Sequence, residues 1–268
     1  MNTRQMREKL TQIRCFVLDM DGTIYLGDEL FPFTNAFLQT VTAAGKTYCF
    51  FTNNSSKNAA AYLDKLARMG VPATPEQMHV STHVLLRHLR QNYPGCRAYV
   101  LGSPLLLADF EAAGIPLEEQ SPDVVVLGFD TTLTYDKLRR ACDFVRAGLP
   151  YFGVNPDLNC PVENGGFMPD CGSIARLVEA STGVLPEFFG KPSRRTLDYI
   201  ADVTGLPLAQ IAVVGDRLYT DIALTYETEA TSILVLTGEA TAEEAAVSAT
   251  PPDMIVPSLA ELTALLRG

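Results

Sequence analysis

The 268-residue sequence has no tryptophan and only three histidines, His79, His83 and His88. One i,i+4 pair, His79 with His83, is compatible with zinc, but no cysteine or acidic ligand stands at suitable spacing, and histidines on a helix surface are the expectation. The six cysteines include no CxxC pair. Cys15 and Cys49 lie inside apolar, strand-like runs where a thiol acts as a small hydrophobe, so disulfides are not expected. Positive charge is scarce as well: 21 Lys and Arg against 31 Asp and Glu leave a formal net charge of −10. That balance argues against nucleic acid or an anionic membrane as the main partner, since both reward a basic face. Any anionic substrate must instead be met by local positive charge or a metal. No charged segment followed by an apolar one opens the chain, and no apolar run is long enough to span a bilayer. The expectation is a cytoplasmic protein.

Hydrophobic residues make up 47% of the chain, enough at this length for two domains with separate cores. The organising stretch is Cys15-Phe16-Val17-Leu18-Asp19-Met20-Asp21-Gly22-Thr23. Its four uncharged residues read as a strand buried on both faces, which breaks into two carboxylates and a glycine. Helical spacing of Phe33, Phe37, Leu38 and Val41 up to Gly45 follows. A second buried strand, Thr47 to Phe51, then ends in Thr52-Asn53-Asn54-Ser55-Ser56-Lys57, and a helix runs to Gly70. This β-α-β-α alternation predicts a parallel sheet. A separate α/β unit restarts near residue 98 and runs through Tyr151 to Val154. The Pro- and Gly-rich stretch from Asn155 to Gly172 reads as loop, and Gly183 to Pro186 as a return linker. Beyond it come Gly190-Lys191-Pro192, a helix behind Ser193, and a third buried strand, Ile211 to Gly215, ending in Asp216.

If the three strands are parallel neighbours, Asp19, Asp21, Thr52, Asn53, Asp216 and Asp221 meet around one crevice together with Lys191. Carboxylates so clustered raise one another's proton affinity and call for a cation. Oxygen ligands from one or two carboxylates, a carbonyl and phosphate suit Mg²⁺, with Asp19 and Asp216 as direct ligands. The chemistry that fits is phosphoryl transfer: Asp19 attacks phosphorus, and Asp21, two residues on, protonates the leaving oxygen and later deprotonates water. The Thr52 hydroxyl, the Asn53 and Asn54 amides, Lys191 and backbone N–H groups of the turn through Asp21 serve the phosphoryl oxygens. Alone, Thr52 reads as a cap, Lys191 as a solvated charge and Asp221 as an exposed helix residue; their order and common placement at strand ends overturn that reading.

In that order DMDGT, FFTNNSSK, GKP and GDRLYTD resemble the four motifs of the haloacid dehalogenase superfamily of aspartate-nucleophile phosphatases. The resemblance covers about residues 1–80 and 185–268, and Asp21 points to a phosphatase over the dehalogenases, which lack a second acid. The long insertion resembles the large cap of the NagD-like, p-nitrophenylphosphatase type, including Asn155-Pro156-Asp157 and Pro169-Asp170-Cys171-Gly172-Ser173. The resemblance implies an α/β protein with a Rossmann-like, three-layer core at 1–81 and 185–268 and an inserted α/β cap at 82–184. It further implies Mg²⁺ on Asp19, Asp216 and the Asp21 backbone carbonyl, with Asp221 behind them. The loop at Asp157 would reach the substrate, a small phosphorylated metabolite. A phosphotransferase or mutase and a non-catalytic phospho-ligand-binding regulator are the alternatives, and the oligomeric state, a homo-oligomer included, stays open.

Two departures stand out. Relatives carry glycines after the Thr-Asp pair, whereas Ile222 to Ala230 contains none. If Glu229 takes the left-handed position there, the cost is about 1 kcal/mol. The stretch from Val162 to Phe167, with Glu163 and Asn164, also looks lengthened and is expected to affect what the cap selects.

Overall fold

The fold was read from a computed structural model, which describes residues 2–162 and 166–268; the expectation for Glu163 and Asn164 lies outside the described residues. Helix α1 (Thr3–Gln12) starts at Asn2, whose side chain accepts the Gln5 N–H while Gln5 caps the Asn2 N–H in return. Strand β1 (Cys15–Leu18) is buried along its whole length. A short hairpin of β2 (Tyr25–Leu26) and β3 (Glu29–Leu30) follows. Helix α2 (Thr34–Ala43) ends before Gly45, left-handed at φ 68°. Strand β4 (Thr47–Thr52), helix α3 (Ala59–Arg68) and strand β5 (Met78–Val80) follow.

The middle of the chain carries α4 (Ser81–Asn92), β6 (Ala98–Leu101), α5 (Pro104–Ala112), β7 (Val124–Leu127), α6 (Tyr135–Arg146) and β8 (Tyr151–Gly153). The stretch read as loop instead forms an antiparallel hairpin of β9 (Asn159–Val162) and β10 (Gly166–Pro169). Prolines at both Pro161 and Pro169 hide it from sequence reasoning, because proline is confined to strands with an unpaired edge, which a two-stranded ribbon always has. After α7 (Cys171–Thr182), capped by the Asp170 side chain, β11 (Glu187–Phe188) completes this region. The last part comprises α8 (Arg194–Thr204), β12 (Ile211–Gly215), β13 (Thr231–Val235), α9 (Ala242–Ala246), β14 (Met254–Val256) and α10 (Leu259–Arg267).

The chain divides into two compact units, one of Met1–Thr52, Leu63–His79 and Thr196–Gly268, the other of Asn53–Tyr62 and Val80–Arg195. The first is built on a six-stranded sheet of order β14-β13-β12-β1-β4-β5. Its pairs β4 with β1, β1 with β12, β12 with β13 and β13 with β14 are all parallel. From β1 the chain winds outward to β4 and β5 on one side and later to β12, β13 and β14 on the other. The strand order therefore reverses between β1 and β12, and ligands of open α/β sheets bind outside the carboxyl ends at such a point. The second unit has its own parallel sheet, β11-β8-β7-β6. Its core joins Tyr99, Leu101, Val125 and Leu127 of the strands to Cys142 and Val145 of α6 and Ile174 and Val178 of α7. All six cysteines are free thiols. The i,i+4 histidine pair is not on one helix: His79 is buried on β5, its Nδ1 3.0 Å from the Tyr199 hydroxyl, while His83 starts α4.

After Asp216 the chain makes one π-helical turn, Leu218–Ile222, and one 3₁₀ turn, Ala223–Thr225. It then leaves helical geometry at Tyr226, and the Thr228 N–H and hydroxyl both donate to the Thr225 carbonyl. The turn thus closes earlier than a full α-helix would allow, and the left-handed residue is Glu227, at φ 56°, rather than Glu229. A glycine at 227 removes the side-chain clash of that conformation but frees the unfolded chain. Glu227→Gly is therefore expected to stabilise the protein by roughly 0.5 kcal/mol net. Glu229→Gly, with no such strain to relieve, should be neutral or destabilising; urea unfolding midpoints of the two variants check the assignment.

Candidate active site

Asp19 and Asp216 directly follow β1 and β12, which are paired in register from Cys15 with Ile211 to Leu18 with Val214. The Asp19 N–H continues that ladder by donating to the Val214 carbonyl at 2.9 Å. Two adjacent parallel strands therefore deliver two carboxylates side by side at the switch point, and the π-helical turn behind Asp216 folds Asp221 back toward them. One carboxylate oxygen from each of Asp19, Asp216 and Asp221 lies within 4.8 Å of the others. π-turns of this kind recur at functional sites because they re-aim a side chain by one position.

The cluster is held by backbone. The Asp216 Oδ2 accepts the Glu239 N–H at 2.8 Å, and the Ala240 N–H donates to the Asp216 carbonyl. Asp221 Oδ2 accepts the Arg217 N–H at 3.1 Å. Thr237 ties the same turn to the Gly22 carbonyl through its hydroxyl. A Cβ on either Gly22 or Gly238 would land on the Asp216 carboxylate, so both positions need glycine for clearance. The Arg217 guanidinium pairs with the Glu239 carboxylate at 3.0 Å, and the Tyr219 hydroxyl donates to that carboxylate. Sequence reasoning misses this turn, although the logic that selects Asp19 and Asp216 applies equally to Thr237 and Gly238 just beyond β13.

Burial, then the neighbouring Asp19 and Asp221 charges, push the Asp216 carboxyl up to about 8 against the smaller pull of Arg217 and the Glu239 N–H. Its Oδ1 is buried with no hydrogen-bond partner. An orphaned carboxylate oxygen facing two more carboxylates fits a divalent cation, whose charge reverses the cause of the shift. Among the described residues this is the one cluster of three such side chains. Asp21 is likewise raised by burial, opposed by Lys65, the Gly27 N–H and Arg217. Thr52, the last residue of β4, is buried in the same unit.

The second unit assembles the other motif residues. Phe189 and Gly190 prolong the pairing of β11 with β8 by donating to the Gly153 and Val154 carbonyls, so Lys191 follows directly from a sheet. Asn53 grips it by both peptide groups: the Lys191 N–H donates to Asn53 Oδ1 at 2.8 Å, and Asn53 Nδ2 donates to the Lys191 carbonyl at 2.9 Å. The second Nδ2 hydrogen goes to Asp157 Oδ2 at 2.7 Å, which also accepts from Asn155 Nδ2. A Cβ at Gly190 would meet the Asn53 side chain, which explains the glycine of Gly190-Lys191-Pro192. Since both amide hydrogens of Asn53 are committed, its side chain holds Lys191 and Asp157 and is not a free donor for phosphate. Asn54 turns to the Ser56 N–H and hydroxyl and to Cys160 Sγ. Asn155 further bridges Ser55 and Asp170.

Because the Asp216 value lies above the ordinary carboxylate range, the metal-free fold keeps a proton that the unfolded chain releases. The stability this contributes is complete below about pH 4 and is lost as pH rises toward 8. Without divalent cation, the melting temperature of the wild type should therefore fall relative to Asp216→Asn between about pH 5 and pH 8. A divalent cation at the upper pH should restore the wild type and leave the variant almost unmoved. Parallel curves for the two proteins would contradict the assignment.

Comparison with known proteins bears on the same residues. A family of haloacid dehalogenase-like hydrolases matches residues 16–116, and an HAD-hydrolase-like family matches 188–262. An acid sugar phosphatase of Staphylococcus aureus is 32% identical over 259 residues, 96% of this chain and 100% of that protein. The 4-nitrophenylphosphatase of Thermotoga maritima superposes with a TM-score of 0.91 at 44% identity, covering 96% of this chain and 98% of that one. NagD of E. coli superposes at 0.87 with 27% identity, covering 93% and 98%. No helix among the described residues is long and apolar enough to cross a membrane. Agreement of motif order, sheet topology and both kinds of relative leads to one conclusion: this chain belongs to the haloacid dehalogenase-like hydrolases, as a NagD-like phosphatase.

Proposed function

We propose that the protein hydrolyses small phosphomonoesters in two displacements, with Mg²⁺ held by Asp19, Asp216 and the backbone carbonyl of Asp21 and with Asp221 behind them. The observation that carries this reading is the convergence of three carboxylates at the β1/β12 switch point, one of whose buried oxygens lacks a partner. When bound, the cation supplies positive charge that offsets the carboxylates and the phosphoryl oxygens. In the first step the Asp19 carboxylate attacks phosphorus in line, the bond to the leaving oxygen breaks, and Asp21 gives that oxygen its proton. In the second, Asp21 takes a proton from water, the water oxygen attacks the aspartyl phosphate, and phosphate leaves Asp19 as it began. Burial raises the proton affinity of Asp21, the direction an acid role needs, and Lys65, the Gly27 backbone and Arg217 oppose it.

Lys191 and the Thr52 hydroxyl are the groups we assign to the phosphoryl oxygens, with Asn53 and Asp157 acting through the position of Lys191. The relatives named for sugar phosphates and for 4-nitrophenyl phosphate support a small monoester as substrate. The cap, taken at 82–184 and lying within the second compact unit, is the natural seat of substrate choice, since loops carried on a separate scaffold vary without disturbing the sheet.

Hydrolysis of p-nitrophenyl phosphate tests the reading. Activity should require Mg²⁺, vanish with EDTA and return on adding the metal back. Asp19→Asn should fall to background, and Asp21→Asn should lose roughly 10²- to 10⁴-fold in kcat, because with this ester the second displacement is the step that still needs Asp21 as a base. A folded Asp19→Asn variant that keeps wild-type turnover would remove the nucleophile assignment.

A further inference from the structure

Lys65 lies outside every motif considered so far, yet it is buried in an acidic protein. A buried ammonium must be matched by oxygen or aromatic partners, because its hydration is lost. Lys65, on α3, has three such partners, and all are on the β2–β3 hairpin. Its Nζ donates to the Gly27 carbonyl at 2.7 Å, stands 3.4 Å from Asp28 Oδ1, and lies 4.1 Å over the centre of the Tyr25 ring. The Asp28 carboxylate is largely exposed and contributes little through water. The carbonyl and the ring carry the grip.

That hairpin tip reaches back to the chemistry. The Gly27 backbone stands close enough to the Asp21 carboxyl to lower its proton affinity. Gly27 itself is left-handed, at φ 59°, so its N–H and C=O can serve two different partners across a tight turn. The base of the hairpin is fixed to the same residue, through the Gly22 N–H on the Tyr25 carbonyl at 2.8 Å and a bridge between Asp21 and Tyr25. Asp21 is therefore joined by its backbone to a two-stranded ribbon too short to be rigid on its own, and the ammonium of Lys65 clamps the tip of that ribbon.

We propose that Lys65 is a positioning residue for the proton-transfer step, acting on Asp21 through the Gly27 peptide. The proposal rests on the reading of Asp21 as general acid. Loss of the clamp lets the hairpin and the Gly27 backbone drift from Asp21, so the acid is less often aimed at the leaving oxygen while Asp19 and the cation cluster stay in place.

A positioning role in proton transfer has a signature that a general structural defect lacks. A p-nitrophenolate leaves almost unaided, whereas the alkoxide of benzyl phosphate must be protonated as the bond breaks. The measured quantity is kcat/KM, which reports the first displacement alone. Lys65→Met should lose about 10-fold or more on benzyl phosphate beyond any loss on p-nitrophenyl phosphate, a fraction of the general-acid effect of roughly 10²- to 10⁴-fold. Lys65→Arg, which keeps donors and charge, should recover most of the difference. Asp21→Asn, measured alongside, separates the two ideas. If it too shows no dependence on the leaving group, the acid assignment fails and this proposal falls with it. If Asp21→Asn shows the dependence and Lys65→Met loses equally on both esters, or loses nothing, the clamp alone is wrong. Should Lys65→Met not fold, Lys65→Gln takes its place in the same comparison of the two esters, and the same outcomes support or overturn the clamp.

Discussion

Everything in the first unit answers to one electrostatic constraint: three carboxylates are held closer than they would choose. Two ionised carboxylates at this separation repel by several kcal/mol in the partly dry interior of a protein, which with burial is why Asp216 holds its proton in the metal-free fold. The sheet brings Asp19 and Asp216 together because β1 and β12 are hydrogen-bonded neighbours, and no side-chain adjustment undoes that. The turn beyond β13 resists the remaining freedom, with the Glu239 and Ala240 N–H groups on Asp216 and the Thr237 hydroxyl on the Gly22 carbonyl. Even the glycines belong to this constraint, since Gly22 and Gly238 leave room for the carboxylate that the turn encloses. A site strained by like charge is thereby preorganised for a cation, and the fold supplies the restraint that the bare cluster lacks.

The second unit solves a different problem, that of fixing a short loop by a single side chain. One asparagine replaces a neighbouring strand for Lys191, accepting from its N–H and donating to its carbonyl as a β partner does. Its remaining hydrogen orders Asp157, which Asn155 orders from the other side. Both hydrogens of each of the two amides, Asn53 and Asn155, are used in this network. The bonds of Asn155 to Asp157 and Asp170, and of Ser55 to Asn155 and the Phe129 N–H, carry it on to the edge of the sheet.

What can be read from the sequence follows from these two designs. Buried parallel strands are legible because they are short apolar runs ending in abrupt polarity, and β1, β4 and β12 all have that form. Asp19, Thr52 and Asp216 emerge on that signal alone. Asn53 emerges as well, but for a different task, since its spacing cannot tell whether its amide meets a ligand or a backbone. The β9–β10 hairpin is not legible because both strands contain proline, Pro161 and Pro169. Glu229 stands in for Glu227 when the helix is given its usual pitch, and a π turn followed by a 3₁₀ turn shifts the register of everything behind it. Lys65 carries no signal at all: a lysine in the last turn of an amphipathic helix looks like an ordinary surface charge.

Net charge also needs to be read at two scales. A formal charge of −10 creates a field that opposes a phosphate monoester at long range, but salt confines that field to about 8 Å in physiological solution. Inside that distance the local arrangement decides. This chain exposes several of its arginines in ion pairs on helix surfaces, such as Arg139 with Asp136 and Asp143. It buries Lys65 and Lys191 instead. An ammonium such as that of Lys65, shielded from bulk water and held on an oriented carbonyl and a ring, acts at short range, where screening does not reach it. An acidic surface is therefore no argument against an anionic substrate. It excludes partners that are recognised over a broad face, and leaves open those recognised by a few groups at the end of a strand.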